Sequence, residues 1–467
     1  MSSTSLLDIV ALAKRRGFAY PGSEIYGGLA NTWDYGPLGV ELKRNIESLW
    51  WKSFVSEKEN MIGIDSSIIL NTKVWEASGH LSGFQDALVD CRNCKSRTRA
   101  DHLIEDFFAR ASPSKEIRAE GLSKEELSSI IAKNQIPCPV CGKSDLTEVR
   151  LFNLLFPTKM GILSDDSDAV YLRGETAQGI FINFKNILDS TRLKLPFGVA
   201  QIGKSFRNEI TKGQFVHRMV EFTQGEIEYF FDPTKENWET LFQDWLSQIE
   251  SFLINKLGLR KGNIRTREHD EAERSFYSQK TVDLEYNFPY GFKELWGLAY
   301  RTDYDLASHA KHSGKDLFYT DPHTGEKIVP HVIEPAVGFD RLVLACLVDA
   351  YWYDENNQRI VLKLSPSVAP TTVAVFPLLR NNSSLVLKAR KVYEHVSKVY
   401  RAAWDDRGNI GKRYLYQDEA GTPLCVTVDH ESLENETVTV RDRDTTKQDR
   451  VELANLLGYI EAKLTKN

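Results

Sequence analysis

The stretch from Ala200 to Glu209 constrains this chain more than any other. A run of small and apolar residues ends in Phe206-Arg207-Asn208-Glu209. A polar loop with Lys212, Gly213, Gln214, His217 and Arg218 follows, and then a second strand-like run from Glu221 to Phe231. Strand, basic loop, strand reads as a hairpin with charge at its mouth. Alternate residues of a strand share a face, so Arg207 and Glu209 are expected side by side. A guanidinium grips phosphate in a forked geometry, and a carboxylate accepts from the amino group of a base. Far downstream, Glu334-Pro335-Ala336-Val337-Gly338-Phe339-Asp340-Arg341 runs into an apolar block. That pattern predicts a turn, then a buried helix with Arg341 in its first turn.

The chain has 467 residues, too many for one ordinary core, so about two to four domains are expected. Its 42% hydrophobic and 27% charged residues are those of a globular protein. A net charge of −6 does not exclude RNA, because a local basic surface survives an acidic total. The first residues lack the basic flank and apolar block of a secretory leader. No apolar run approaches the roughly 20 residues that span a bilayer. Six cysteines in so long a chain are not a secreted disulfide framework. A cytoplasmic protein without a membrane part is expected.

Residues 1–85 open with an amphipathic helix, Ser5 to Arg16, closed by Gly17. A second, long helix is predicted from Pro37 to about Asn60, with Leu42, Ile46, Leu49, Trp50 and Phe54 at helical spacing. Trp50 and Trp51 suit a subunit interface and a core equally. Residues 86–155 look inserted: they are rich in Lys, Arg, Glu and Ser. Ser123 and Glu126 form a capping box for a helix over 124–134. Strand-like runs return over 156–364 without regular strand–helix alternation, which argues an α+β domain. Ser365 to Pro370 reads as a linker. Residues 371–467 then read as an α/β domain: strand 371–376, helix 385–403, strands 424–428 and 437–441, helix 450–464.

Cys91-Arg-Asn-Cys94 and Cys138-Pro-Val-Cys141 are two Cys-x-x-Cys knuckles. Four thiolates at that spacing make a closed tetrahedral zinc site, structural rather than catalytic. The chain has no Gly-x-x-x-x-Gly-Lys-Ser/Thr loop, so a P-loop ATPase is not expected, and the case for a bound nucleotide rests on Arg207, Glu209 and Arg341.

Together these segments resemble motifs 2 and 3 of class II aminoacyl-tRNA synthetases, and Gly36-Pro37-Leu38-Gly39 with its helix resembles motif 1. Arg173-Gly174-Glu175-Thr176-Ala177-Gln178-Gly179, Arg97 to His102, Glu294-Leu295-Trp296-Gly297 and Arg301 to Leu306 resemble the homodimeric glycyl-tRNA synthetases. Asp405 to Tyr414 looks like the anticodon-binding domain of that subgroup. The resemblance implies an antiparallel-sheet catalytic domain with a zinc-knuckle insertion and a C-terminal α/β anticodon-binding domain. It also implies a homodimer whose partners are glycine, ATP with Mg2+, and tRNA(Gly).

Carried over by position, the ATP-binding residues are Arg207, Asn208, Glu209, His217, Arg218, Phe222, Glu294, Leu295, Gly338 and Arg341. Arg207 and Arg341 are the catalytic pair. Glycine has no side chain to grip, so selection rests on a small pocket whose carboxylates hold the ammonium. The implied residues are Arg99, Glu175, Gln224, Glu226 and Glu334. Two positions depart from the family pattern: Val220 stands where a second arginine is usual, and Ala336 where a serine is. A catalytically inactive, nucleic-acid-binding accessory protein of the same family is the alternative. Such a protein is expected to have lost the arginines that Arg207 and Arg341 retain.

Overall fold

The structure is a computed structural model. It describes residues 5–465 apart from 112–118, 120, 161–168, 210–213, 272 and 276, so Lys212 and Gly213 lie outside the described residues. The elements that position the site are helix α1 (Pro37–Trp51), strands β1 (Met61–Gly63), β2 (Phe197–Phe206) and β3 (Glu221–Phe231), and helix α2 (Trp238–Ser251). Strands β4 (Ile264–Glu268), β5 (Lys280–Phe288), β6 (Gly291–Thr302) and β7 (His331–Gly338) and helix α3 (Phe339–Ala350) complete the set.

The seven strands form one sheet in the order β4-β5-β6-β7-β3-β2-β1. All neighbours are antiparallel except β1, which pairs with β2 in parallel. The sheet is an α+β frame, as the irregular strand spacing predicts. Ile227 and Phe231 on β3, with Ile333 and Val337 on β7, face the back and join the main core. Leu42, Ile46 and Trp50 of α1 and Phe339 of α3 close that core. Trp50 is fully buried and meets Phe339 edge-on at 5.8 Å, so this tryptophan belongs to the chain's own core. The opposite face carries Gln224, Glu226 and Glu228 from β3 and Glu334 and Ala336 from β7, because alternate residues share a face.

Several boundaries differ from expectation. The second helix keeps α geometry only to Trp51 and widens into a π turn through Ser56. Residues 331–338 are a strand rather than a turn, because they pair with β3 and β6 on both edges. Arg341 does lie in the first turn of the following helix.

Residues 85–153 contribute a separate three-stranded sheet, Gln85–Asp90 with Arg97–Arg99 and Arg150–Asn153. Its helices, Ala100–Ala111 and Lys124–Lys133, pack on a local cluster that includes Val89, Ile104 and Leu127. The predicted capping box at Ser123 and Glu126 forms.

The C-terminal part holds β8 (Val373–Pro377), α4 (Ser383–Val396), β9 (Ala402–Trp404), α5 (Ile410–Ala420), β10 (Leu424–Val428), β11 (Thr437–Asp442), β12 (Gln448–Glu452) and α6 (Leu456–Thr465). The sheet order is β9-β8-β10-β11-β12, parallel over the first three strands. The predicted 385–403 helix ends at Val396, and 402–404 pairs beside β8. The predicted 450–464 helix starts at Leu456, because 448–452 is drawn into the sheet as an edge strand.

The expected linker is not free. Val368 and Ala369 are buried, and the Asn45 amide of α1 donates to both their carbonyls at 3.1 and 2.9 Å. Arg401 adds an ion pair to Glu41 at 2.8 Å, and Arg16 one to Glu419 at 2.6 Å.

Candidate active site

One cavity collects most of the expected nucleotide residues: Arg207, Glu209, His217, Arg218, Phe222, Glu294, Gly338 and Arg341. Hairpin β2–β3 supplies the first five and β6, β7 and α3 the rest. Strand β2 ends at Phe206, so Arg207 and Glu209 do not sit on one pleated face as expected. Arg207 makes one further ladder bond, its N–H to the Val220 carbonyl at 2.9 Å. The chain then turns tightly, with the Glu209 N–H on the Arg207 carbonyl at 2.7 Å. The turn brings both side chains to the same cavity by another route.

The cations of this cavity are already engaged. Arg341 pairs with Glu294 at 2.8 Å, and Arg218 with Glu209 at 3.2 Å. Desolvation raises the Glu294 carboxyl, but Arg341 outweighs it and holds the group down at about 2, although nearly half of that side chain, 48%, is exposed. The Arg207 guanidinium donates to the Gly174 carbonyl at 3.0 Å and lies 5.3 Å from the centre of the Phe222 ring. His217 is buried, and neither ring nitrogen has a hydrogen-bond partner among the described residues. Burial, then Arg341 and Arg218, push it down to about 2, so it is a neutral imidazole at pH 7. Gly338 has an ordinary φ, and a Cβ there meets Arg341 at 3.5 Å, so its smallness serves space rather than backbone conformation.

Leu295 follows Glu294 on β6, and its fully buried side chain lies in the core. It can offer the cavity only its backbone, which corrects the expectation that it lines the site. Asn208 does not line the cavity; its N–H is bonded to the Leu154 carbonyl at 2.9 Å.

Beneath the cavity, past Gln224 and Ala336, lies a buried cluster of carboxyls. Glu175, Glu226 and Glu334 are 5, 2 and 5% exposed. Glu175 accepts from Gln178 at 2.9 Å and faces His80 Nε2 at 3.1 Å. Glu226 accepts from the Thr176 N–H at 2.7 Å and from the Gln224 amide. Arg301, at 1% exposure, holds both oxygens of Glu334 and both of Asp305. Burial and the neighbouring Glu226 and Glu175 outweigh Arg301 and push Glu334 up to about 8. The cluster thus carries more acid than base, a setting for a small cation.

Arg99, expected near glycine, lies elsewhere. It pairs with Asp86 at 3.0 Å and with Asp101, and lines an outer cavity that shares His217, Arg218, Glu294 and Arg341 with the first. The sequence reading missed Arg301, Glu228, His80 and Gln178 as site members. Arg301 and Gln178 stood inside quoted segments, but no local signal set them apart from solvated residues.

The four knuckle sulfurs lie within 4.8 Å of one another, with Cys91–Cys141 at 3.6 Å and Cys94–Cys138 at 3.7 Å. Sulfurs about 2.3 Å from a tetrahedral zinc are about 3.8 Å apart, so the donor set fits that ion.

A profile described as an anticodon binding domain matches residues 372–463. Near-full-length relatives are named glycine–tRNA ligase. The one from Caldanaerobacter subterraneus subsp. tengcongensis is 51% identical over 463 residues, 98% of each chain. Those from Clostridium tetani and Clostridium perfringens are 52% and 53% identical, again over 98% of each chain.

Proposed function

The chain belongs to the glycine–tRNA ligase family, and on that premise we propose how its own residues carry the reaction. The enzyme activates glycine with ATP and passes the glycyl group to the 3′ end of tRNA(Gly). The glycine carboxylate attacks the α-phosphorus and pyrophosphate leaves. The terminal ribose hydroxyl then attacks the glycyl carbonyl and AMP leaves. Such chemistry needs positioned charge more than a protein nucleophile.

The observation that carries the assignment of roles is that Arg207 and Arg341 line one cavity whose floor adjoins the buried carboxyls. Arg207 binds the α-phosphate, where charge develops in the transition state. Arg341 takes the outer phosphates, exchanging its bond to Glu294 for one to phosphate, with Arg218 and neutral His217 beside it. Adenine lies against Phe222, and Glu209 accepts from its amino group. Mg2+ accompanies ATP and neutralises phosphate charge.

Glu175, Glu226 and Glu334 hold the glycine ammonium. The methyl of Ala336 lies where the family's usual serine would offer a hydroxyl, so acceptors from β3 replace it. Zn2+ in the four-cysteine set ties the two knuckles of residues 86–155 together and takes no part in the reaction.

We propose a homodimer built around the segment that leads into α1. Ile25, Tyr26 and Leu29 there are 87, 86 and 63% exposed, apolar surface that a second copy covers. No described helix is long and apolar enough to cross a membrane, and the cytoplasm is the compartment proposed.

The test is pyrophosphate exchange into ATP with glycine, alanine and serine supplied separately. Exchange with glycine alone is expected. Its absence from folded protein with magnesium would favour the inactive accessory reading instead.

A further inference from the structure

Glu228 is a carboxyl of the cluster with no hydrogen-bond partner among the described residues. It is fully buried, and neither oxygen meets a hydrogen-bond donor from the described residues. A buried ionised carboxylate without a donor is costly enough that such groups stay neutral or acquire a partner.

The sheet register identifies that partner. Strands β3 and β7 keep one register on either side of Glu228, from Gln224 opposite Gly338 and Glu226 opposite Ala336 to Tyr229 opposite Ile333. Glu228 therefore stands directly across from Glu334, on the same face. Side chains so placed have Cβ atoms about 4.5–5.5 Å apart, and like charges there repel. Glu334 already accepts from Arg301 at both oxygens. Glu334 acts on the buried Glu228 as a like charge; opposed buried carboxyls resist ionising together, and one proton between them removes the conflict.

We propose that Glu228 and Glu334 share a proton in the empty enzyme, and that entry of the glycine ammonium expels it to solvent. The step balances: the incoming NH3+ replaces the departing H+ as the positive charge facing the pair. Around the pair stand Glu226 on β3, Arg301 on β6, Asp305 on the following helix, and Glu175. Burial first, then Glu334, push Glu228 far above the usual carboxylate range, while Arg301 pulls the other way. The device makes an unoccupied acidic pocket tolerable to the fold without weakening it as a cation site. This inference rests on the reading of the cluster as the ammonium site.

Titration calorimetry of glycine into the full-length enzyme, in buffers of different ionisation enthalpy at pH 7, counts the protons released. Close to one per glycine is expected for the wild type. In Glu228→Gln, whose amide can donate to Glu334 permanently, release should vanish while the glycine Kd changes less than about tenfold. Infrared difference spectra of the wild type provide a check that needs no variant: a protonated-carboxyl carbonyl band should be lost on glycine addition. Wild-type binding with no proton release and no band change overturns the proposal, as does undiminished release from Glu228→Gln. Glu226→Gln separates the two readings. Glycine binding that survives unweakened there refutes the ammonium site itself, whereas missing proton release with binding intact refutes only the shared proton.

Discussion

Arg301 holds Glu334 through one guanidinium nitrogen, Nη1, at 3.0 and 2.9 Å from its two carboxylate oxygens. Its remaining nitrogens, Nε and Nη2, reach Asp305 at 2.8 and 2.9 Å. One cation thus ties β6 to β7 and to the helix Tyr304–Ser313 under the floor of the active site.

Replacing Arg301 with alanine leaves two buried acids facing each other without a cation. Breaking a buried ion pair from one side costs about 3–5 kcal/mol. Urea unfolding of Arg301→Ala should show a loss of that size, together with abolished glycine-dependent exchange. A variant as stable as the wild type would show that Arg301 does not organise the cluster.

Arg207→Ala is expected to behave differently. Among the described residues the side chain makes a single hydrogen bond, to a carbonyl, so the fold should survive. Exchange should fall by about 10²–10³-fold, the usual cost of one transition-state donor. Near-normal exchange removes Arg207 from the mechanism.

Gly338→Ala tests the space beside the phosphates. The nearest atoms to the new methyl group belong to the Arg341 side chain, at 3.5 Å, an ordinary contact distance, and the backbone is unstrained. Stability should hardly change, while KM for ATP rises and KM for glycine does not. A shift confined to glycine would place the nucleotide elsewhere.

His217 gives a pH signature. Its folded pKa of about 2 lies below the ordinary 6.5, so the native state resists a proton that the unfolded chain accepts. Its contribution is complete above pH 6.5 and is lost as pH falls toward 2. Between pH 7 and 5 the wild type should lose about 2 kcal/mol relative to His217→Asn, at 1.36 kcal/mol per pH unit below 6.5. Parallel stability curves for the two proteins would contradict a buried neutral imidazole.

The cysteine set predicts a single zinc per chain, measurable by elemental analysis of protein never exposed to chelator. Cys138→Ser should release it and loosen residues 86–155 to proteolysis, with the central sheet retained. Metal-free protein with a protease-resistant insertion would refute the structural role.

What could be read from the sequence was what is local. Arg341 and the cysteine pairs sit in short strings whose spacing already encodes the geometry, whereas Arg207 and Glu209 reach one cavity through a turn that their spacing did not foretell. The capping box at Ser123 and the back-face pattern of β3 are local in the same sense. Arg301, His80, Gln178 and Glu228 escaped because a buried charge and a solvated one look alike in sequence. They become a cluster only when β3, β6, β7 and the segment 175–181 meet. Leu295 failed for the opposite reason: strand alternation turns it away from the neighbour beside which it was quoted. The expected 385–403 helix stopped short because residues 402–404 were claimed by a sheet edge that only tertiary packing creates.

The segment 365–370 has the composition of a tether, yet Asn45 clasps its carbonyls and Ser367 is bonded to the Lys256 carbonyl at 2.8 Å. Helix α1 therefore serves as a common splint for both halves of the chain. Cutting the backbone within those six residues would not set the C-terminal half adrift, because Glu41 and Arg16 keep their hold on it through Arg401 and Glu419. Heat should then melt the two halves in one transition, and the anticodon-reading end should follow any tilt of α1 as a lever follows its fulcrum.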